Sequence, residues 1–565
     1  MSNNRIFVVL AAILILFSAC KRNTTSKNLN KNTPLQELTK DDHYMAVNPG
    51  ELAKLCLLDT ASLYVGEFDD EKIFINISYS SKGKLQGKYY VADTSSLFMR
   101  PHQFELSTAG RKYRFVTGAA DVNFAMKYQA NTDALNGVVE LVDKHQKNNR
   151  LSKFSFKKYK EQKTEVASKR YQQPIFKVKE ERDLVYGRAK GPWTSLPIEA
   201  GADYAAVLLP YVFKAVSQKD LDLTMDLYLP MNDTLTCRPL LVLIHGGAFF
   251  FGDKHDAEMV AQCRHYASLG YVVASINYRM GFELSKVSIQ RCAFKSIQDA
   301  HAAMRFLVHH AEIYGIDKNR LYIGGSSAGS ITAMNMVYMT DENKPLSTQR
   351  KHFSKVHGQL HNGGNNFTET FQIRGLINMW GALYEISDMQ KYPVSIISFH
   401  GDADKVVPYG KGYPFAQLNG KKGKGKLCEA YFDEMYGSSV IAQALKNKKV
   451  HNEFYPLADK GHAPWRDEQG NLNDVFYFIQ KKTTQFLYDD LVYDVTIQKN
   501  GKFHYVLHAS DLKNVQWHIQ GGVILSKEND NVEIRLFKDA SAHQLSAQGV
   551  LRNDAQYSVS KEITK

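Results

Sequence analysis

Between Leu209 and Asp489, short apolar runs alternate with stretches of helical spacing, and this alternation constrains the fold more than any other feature. PLLVLIHGG (Pro239 to Gly247) and GYVVASINY (Gly270 to Tyr278) are apolar almost without interruption. A half-exposed strand alternates apolar and polar residues, so a continuous run marks a strand buried on both faces. Between these two runs, DAEMVAQCRHYASL has helical spacing. In SIQDAHAAMRFLVHHAEIYG (Ser296 to Gly315), Ile297, Ala300, Met304, Leu307 and Val308 share one helical face. Further runs are RLYIGG, IRGLINMWGAL (Ile373 to Leu383), VSIISFHG (Val394 to Gly401) and NEFYPL (Asn452 to Leu457). Strands alternating with helices predict an α/β fold with a doubly wound, mostly parallel sheet.

A chain of 565 residues exceeds one ordinary domain, and its two flanks differ from the middle. KIFINISYS, KLQGKYYVA, HQFELST, KYRFVTG and LSKFSFKKY alternate apolar and polar residues between Gly, Lys and Asp turns. They predict an N-terminal antiparallel β-domain, a meander or small barrel, with no catalytic constellation. After Asp489 short strands return in DVTIQ, KFHYVLHA, VQWHIQGG, NVEIRLF and YSVSKEI. With Trp517 and Gly521-Gly522 they resemble an immunoglobulin-like, β-sandwich-like module. The expected layout is a signal segment (1–19), a tether (20–50), an N-terminal β-domain (51–160), a catalytic domain (161–490) and a C-terminal β-domain (491–565).

The N-terminus addresses the compartment. Arg5 precedes an apolar run, Ile6 to Phe17, of signal-peptide length. Phe17-Ser18-Ala19-Cys20 resembles a bacterial lipobox, which implies acylation of Cys20 and a lipid anchor in a membrane; a plain secretory signal is the other reading. The expected location is the cell envelope, as an exported outer-membrane lipoprotein. Beyond Cys20, Cys56, Cys237, Cys263, Cys292 and Cys428 are odd in number, so at least one thiol stays free in an oxidising compartment. Cys263 and Cys292 are the pair close enough in sequence to consider for a disulfide. The net charge of +13 comes with no nucleic-acid motif, and no nucleic-acid partner is expected.

The chemistry concentrates at Gly325-Ser326-Ser327-Ala328-Gly329, between an apolar strand and a small-residue helix. This fits G-x-S-x-G, where a serine stands on a turn so sharp that its neighbours must be small. Ser327 is the central residue and the expected nucleophile, with Ser326 structural. A serine hydroxyl is a weak nucleophile at neutral pH and needs a base held by an orienting group. His462, preceded by Gly461 and just past the last sheet strand, is the expected base; His451 lies at the wrong strand end.

Two further segments carry a family resemblance. His400-Gly401-Asp402-Ala403-Asp404-Lys405-Val406-Val407-Pro408 resembles the H-G-x-x-D-x-x-V-P signature of α/β-hydrolases, which implies Asp404 as the triad acid and Asp402 as a turn residue. His245-Gly246-Gly247-Ala248-Phe249 resembles the HGGG or HGGA oxyanion motif of carboxylesterases and the hormone-sensitive lipase-like group. It implies an oxyanion hole from the N–H groups of Gly246, Gly247 and Ala328, with His245 bracing the loop. Asn277-Tyr278-Arg279, Gln298-Asp299 and Arg305-Phe306-Leu307 also resemble the esterase pattern.

The expected activity is that of a serine esterase working through an acyl-enzyme, with no cofactor and no metal. Its partner is an ester substrate, with acetyl or feruloyl groups on a polysaccharide as the acylated carbohydrate in view. A serine peptidase and a non-catalytic surface-binding lipoprotein are the alternatives. Phe249, Phe250 and Trp465 are the expected substrate-binding residues. Asp341 to Thr370, with Gly363-Gly364-Asn365-Asn366, is expected as a lid or substrate-facing loop.

Overall fold

The computed structural model describes most of residues 62–158 and 169–564; residues 1–61, 159–168, 198–210, 350–356, 391–393, 417–426, 447–449 and a few shorter segments lie outside the description. The signal segment, Cys20 and the tether are therefore outside the described residues. The chain divides into two compact units, one of them Ser168–Tyr493 with Asn553–Ala555.

That unit holds an eight-stranded sheet. In chain order its strands are β1 (Val178–Gly191), β2 (Lys219–Pro230), β3 (Arg238–Ile244), β4 (Val272–Ile276), β5 (Ile316–Ser326), β6 (Gly375–Met379), β7 (Ser395–Gly401) and β8 (Asn452–Leu457). They lie in the order β1-β2-β4-β3-β5-β6-β7-β8. Pairing is antiparallel from β1 to β4 and parallel from β4 to β8. Leu240, Val242 and Ile244 of β3 join one apolar cluster with Phe294, Ile297 and Met334. Leu241 and Leu243, on the opposite face of the same strand, are also fully buried. Both faces are covered, which is why β3 reads as a continuous apolar run. The main helices are α1 (Ala257–Leu269), α2 (Lys286–His309), α3 (Ala328–Tyr338), α4 (Ser438–Leu445) and α5 (Asp474–Val492). His265 of α1 bonds Thr484 of α5 at 3.0 Å, and Ser296 of α2 bonds Thr332 of α3 at 3.0 Å.

The second unit holds the described strands of both flanks. The strands of the N-terminal region form a closed antiparallel barrel, in which Ser62–Phe68 pairs with Arg150–Lys158. It includes Val122–Gln129 and Ala134–Leu141, which the sequence reading does not pick out. The strands after Asp494 form two further sheets, which fall in the same compact unit as the barrel. The joint is specific. Phe98–Met99 pairs in parallel with Asn531–Phe537, Phe74, Tyr90, Met99 and Val523 share one apolar cluster, and Lys88 meets Asp539 at 2.5 Å.

Cys263 and Cys292 are both buried and free, the first on α1 and the second on α2, so the considered disulfide is absent. The Gly363–Asn366 segment is not over the catalytic corner. Gly364 accepts the Arg188 N–H at 2.6 Å, and the Asn365 amide donates to the carbonyls of Tyr186 and Ala302, so the segment braces β1 against α2. Among the described residues no helix is long and apolar enough to cross a membrane.

His301 of α2 gives the fold a pH dependence. It is buried, and among the described residues neither ring nitrogen has a hydrogen-bond partner. Burial, then His361 with its ring centroid 4.3 Å away, then Arg305, hold its pKa well below 6.5. Burial also lowers His245 and His265 to about 4. The unfolded chain takes up these protons as pH falls below 6.5 while the native protein does not. Stability is thus present above pH 6.5 and declines towards pH 4, with a slope approaching about 1.4 kcal/mol per pH unit for each histidine. His301→Leu is expected to remove one proton from that slope in urea unfolding at pH 5 to 7. An unchanged slope would mean that His301 titrates normally.

Candidate active site

The sharp turn after β5 is built as its sequence demands. Ser327 sits at φ 53° and ψ −121°, a backbone conformation that a non-glycine residue holds only under constraint. A Cβ on Gly329 would lie 2.1 Å from the Ile244 carbonyl oxygen, and one on Gly325 would lie 2.5 Å from it. Neither position accepts a side chain, because α3 starts directly against the end of β3. Ser327 is 8% exposed, so its hydroxyl is within reach of a substrate; Ser326 is 3% exposed.

Ser327 Oγ lies 2.9 Å from His462 Nε2, and His462 Nδ1 lies 2.7 Å from Asp404 Oδ2. The carboxylate of Asp404 accepts the Nδ1 proton, which leaves Nε2 free to accept the serine proton. Asp404 is fully buried. Its other oxygen, Oδ1, accepts the N–H groups of Val406 at 2.7 Å and Val407 at 3.1 Å. Burial would raise the Asp404 pKa, but His462 and His400 outweigh it and hold the carboxyl well below the usual range. Asp402 faces elsewhere, its Oδ1 accepting the Asp459 N–H. His451 pairs with Glu453 at the start of β8, at the far strand end.

The loop after β3 reaches the same corner. Gly247, Ala248 and Phe249 all have positive φ (107°, 55° and 59°). A Cβ on Gly246 would lie 3.3 Å from Ser327 Cβ. Among the described residues no backbone carbonyl accepts the N–H of Gly246, Gly247 or Ala328. Ala328 is the first residue of α3, where an N–H has no acceptor within the helix. These groups are available to an anionic oxygen beside Ser327. His245 is fixed beneath the loop. Its Nδ1 lies 2.8 Å from the Gly246 carbonyl, and its ring stacks on Tyr278 at 4.6 Å. Arg279 grips Asp299 through Nε and Nη2 at 3.0 and 2.7 Å, and Asn277 donates to Asp253 at 3.1 Å. The motif that resembles the esterase pattern thus ties the loop to α2.

Ser327 opens on an apolar cavity of about 160 Å³, whose lining includes Phe249, Phe250, Phe282, Ile289, Val406 and Phe415. Pro345, from the expected lid, and Asp433 also border it. Trp465 does not line this cavity. It is 3% exposed and packs edge-on against Trp380 at 4.6 Å. Trp380, buried and at φ 44°, is the indole that faces His462, with ring centroids 6.4 Å apart. A Trp three residues after the histidine therefore points into the core, and neither indole lines the cavity.

Among the described residues, one group could offer ligands to a cation: Asp183, Asp226 and His255. The Lys254 ammonium already lies 2.7 Å from both Asp183 Oδ1 and Asp226 Oδ1. It supplies the positive charge that this pair of carboxylates needs.

The strand order, the strained serine after β5, the acid after β7 and the histidine after β8 define an α/β-hydrolase fold. The BD-FAE family model matches residues 225–393, a span that contains Gly246, Gly247, Ser327 and Ala328. The probable isoprenylcysteine alpha-carbonyl methylesterase of Arabidopsis thaliana is 30% identical over 175 residues, covering 30% of this chain and 34% of that protein. Its Oryza sativa subsp. japonica counterpart is 26% identical over 257 residues, covering 41% and 54%. Juvenile hormone esterase of Heliothis virescens is 32% identical over 106 residues, covering 18% of each chain. The chain thus spans about a fifth to a half of these relatives' length. Among solved structures, Thermogutta terrifontis esterase 2 phosphorylated by paraoxon is 20% identical, covers 48% of this chain and 89% of that one, and has a TM-score of 0.33.

Proposed function

We propose that this protein hydrolyses carboxylic esters through a Ser327–His462–Asp404 triad and an acyl-enzyme. The observation that carries the reading is the unbroken line from Ser327 Oγ through His462 to Asp404 Oδ2, at 2.9 and 2.7 Å. Ser327 Oγ attacks the ester carbonyl carbon while its proton passes to His462 Nε2. The carbonyl oxygen becomes an oxyanion held by the N–H groups of Gly246, Gly247 and Ala328. His462 returns the proton to the departing alcohol, and water then repeats the sequence on the acyl-serine. The esterase names of the sequence relatives support an ester over an amide.

The cavity supports a choice between the two acyl groups in view. Its aromatic and aliphatic lining suits the larger feruloyl group and gives acetate little to fill it. The alcohol part is proposed to be a polysaccharide, met at the cell envelope by an exported protein anchored through Cys20. In a p-nitrophenyl ester series, kcat/KM is expected to rise from acetate to butyrate by roughly tenfold, since each buried CH2 is worth about 0.8 kcal/mol. Methyl ferulate is expected to turn over as well. A steady fall from acetate upwards would reverse the acyl assignment; no Ser327-dependent hydrolysis of any ester would end the esterase reading.

A further inference from the structure

Asp404 is approached by a second imidazole. His400, at the end of β7, is fully buried, and its Nε2 lies 3.2 Å from Asp404 Oδ2, the oxygen that also takes His462 Nδ1–H. The angle is poor for an aligned hydrogen bond, so the contact is an N–H dipole facing the carboxylate. On its other side His400 is held firmly, with Nδ1 2.7 Å from Ser438 Oγ at the start of α4.

Behind Ser438 the donors run in one direction. The Gly381 N–H donates to Asn378 Oδ1 at 2.9 Å, and Ser330 Oγ donates to the same oxygen at 2.7 Å. This orients the Asn378 amide, whose Nδ2 then donates to Ser398 at 3.1 Å and Ser438 at 3.0 Å. The Ser438 hydroxyl proton is left for His400 Nδ1. That places the His400 proton on Nε2, facing Asp404.

We propose that His400 is a positioning residue for the triad: held by Ser438 and Asn378, it presents an N–H to Asp404 Oδ2 and shares that oxygen with His462. The inference rests on the triad reading. Its consequence is electrostatic. A carboxylate that divides its charge between two imidazoles pulls less on His462 than one that serves His462 alone. Other titratable groups here leave the contact alone. Tyr409 meets the His400 ring edge-on at 5.6 Å, and Asp402 is turned towards Asp459.

The experiment compares wild type, His400→Phe and Ser438→Ala across pH 5 to 9 with two readouts: ester hydrolysis and the rate of Ser327 labelling by a fluorophosphonate. Without the His400 N–H, Asp404 keeps its two backbone donors and gives more of its charge to His462. His400→Phe is expected to lower kcat roughly 10- to 100-fold with KM within about twofold, and to move the acidic limb of kcat/KM upward by roughly half a pH unit. Ser438→Ala, which leaves Asp404 untouched, is expected to shift the limb in the same direction with a smaller loss in kcat. A loss of kcat with an unmoved limb in both variants means His400 only fills space, and overturns the proposal. So does an unchanged profile. If wild type labels at Ser327 but hydrolyses no ester, the esterase reading falls and the pH profile of labelling decides the role of His400 by itself. If wild type does neither, both fall.

Discussion

Ser327→Ala is expected to lower kcat/KM for any ester the protein hydrolyses by roughly 10⁴- to 10⁶-fold, the range seen when the serine of a triad is removed. The substitution is clean on structural grounds. Alanine keeps the Cβ, so the strain at φ 53° is the same in both proteins. The backbone bonds Ser327 N–H to Met379 O and Ile331 N–H to Ser327 O, both 2.9 Å, do not involve the hydroxyl. The thermal midpoint is expected to move by no more than a degree or two. The lost atom is the one that lies 2.9 Å from His462 Nε2. Ser326→Ala is the paired control. Ser326 is adjacent in sequence and more deeply buried, and among the described residues the His462 Nε2 bond goes to Ser327, so activity within a few-fold of wild type is expected. Equal hydrolysis by wild type and Ser327→Ala would place the reaction elsewhere, and a large loss in Ser326→Ala instead would move the nucleophile by one residue.

What the sequence makes legible is set by how far each feature reaches along the chain. G-x-S-x-G and His-Gly-Gly are readable because a sharp turn between strand and helix is local, and only glycine tolerates Ile244 O at 2.1 Å from a virtual Cβ. A parallel sheet puts strand ends in one row, so loops after β7 and β8 arrive at the same edge; His462 is readable from that order, while the choice of Asp404 over Asp402 rests on the resemblance of its loop to H-G-x-x-D-x-x-V-P. Trp465 shows the limit of that reasoning. Adjacency to His462 says nothing of where an indole points, and Trp465 packs on the buried Trp380, just past β6, instead of lining the cavity. His400 and Ser438 are 38 residues apart and Asn378 and Ser438 are 60 apart, so no local pattern announces their contact. The union of the barrel with the C-terminal strands depends on pairs such as Lys88 with Asp539, separated by 451 residues. Each half is legible as β-rich, but nothing in either half names the other.

Gly247→Ala is expected to lower kcat by roughly 10²- to 10³-fold while leaving Ser327, His462 and Asp404 in place. Gly247 has φ 107°, which an L side chain rarely adopts, and a Cβ there would lie 2.1 Å from the Phe251 carbonyl oxygen. That oxygen cannot retreat. The Gly247 carbonyl accepts the N–H groups of Phe250 and Phe251 at 2.9 and 2.8 Å, and the Phe250 carbonyl accepts Trp193 Nε1–H at 3.0 Å. The turn is clamped by its own bonds and by the Phe250, Trp193 and Phe282 rings, so relief must come from rotating the Gly246–Gly247 segment. Rotation takes an N–H away from the oxyanion, and one lost donor is worth about 3 to 4 kcal/mol of barrier. The distinction from general unfolding lies in the kinetics. Fluorophosphonate labelling, whose transition state also places a developing oxyanion in the hole, is expected to slow in parallel with kcat, while KM for a short acyl ester stays within a few-fold. A Gly247→Ala protein with kcat within threefold of wild type would mean that this loop does not hold the oxyanion. The stabilisation would then fall to the N–H of Ala328 and the start of α3.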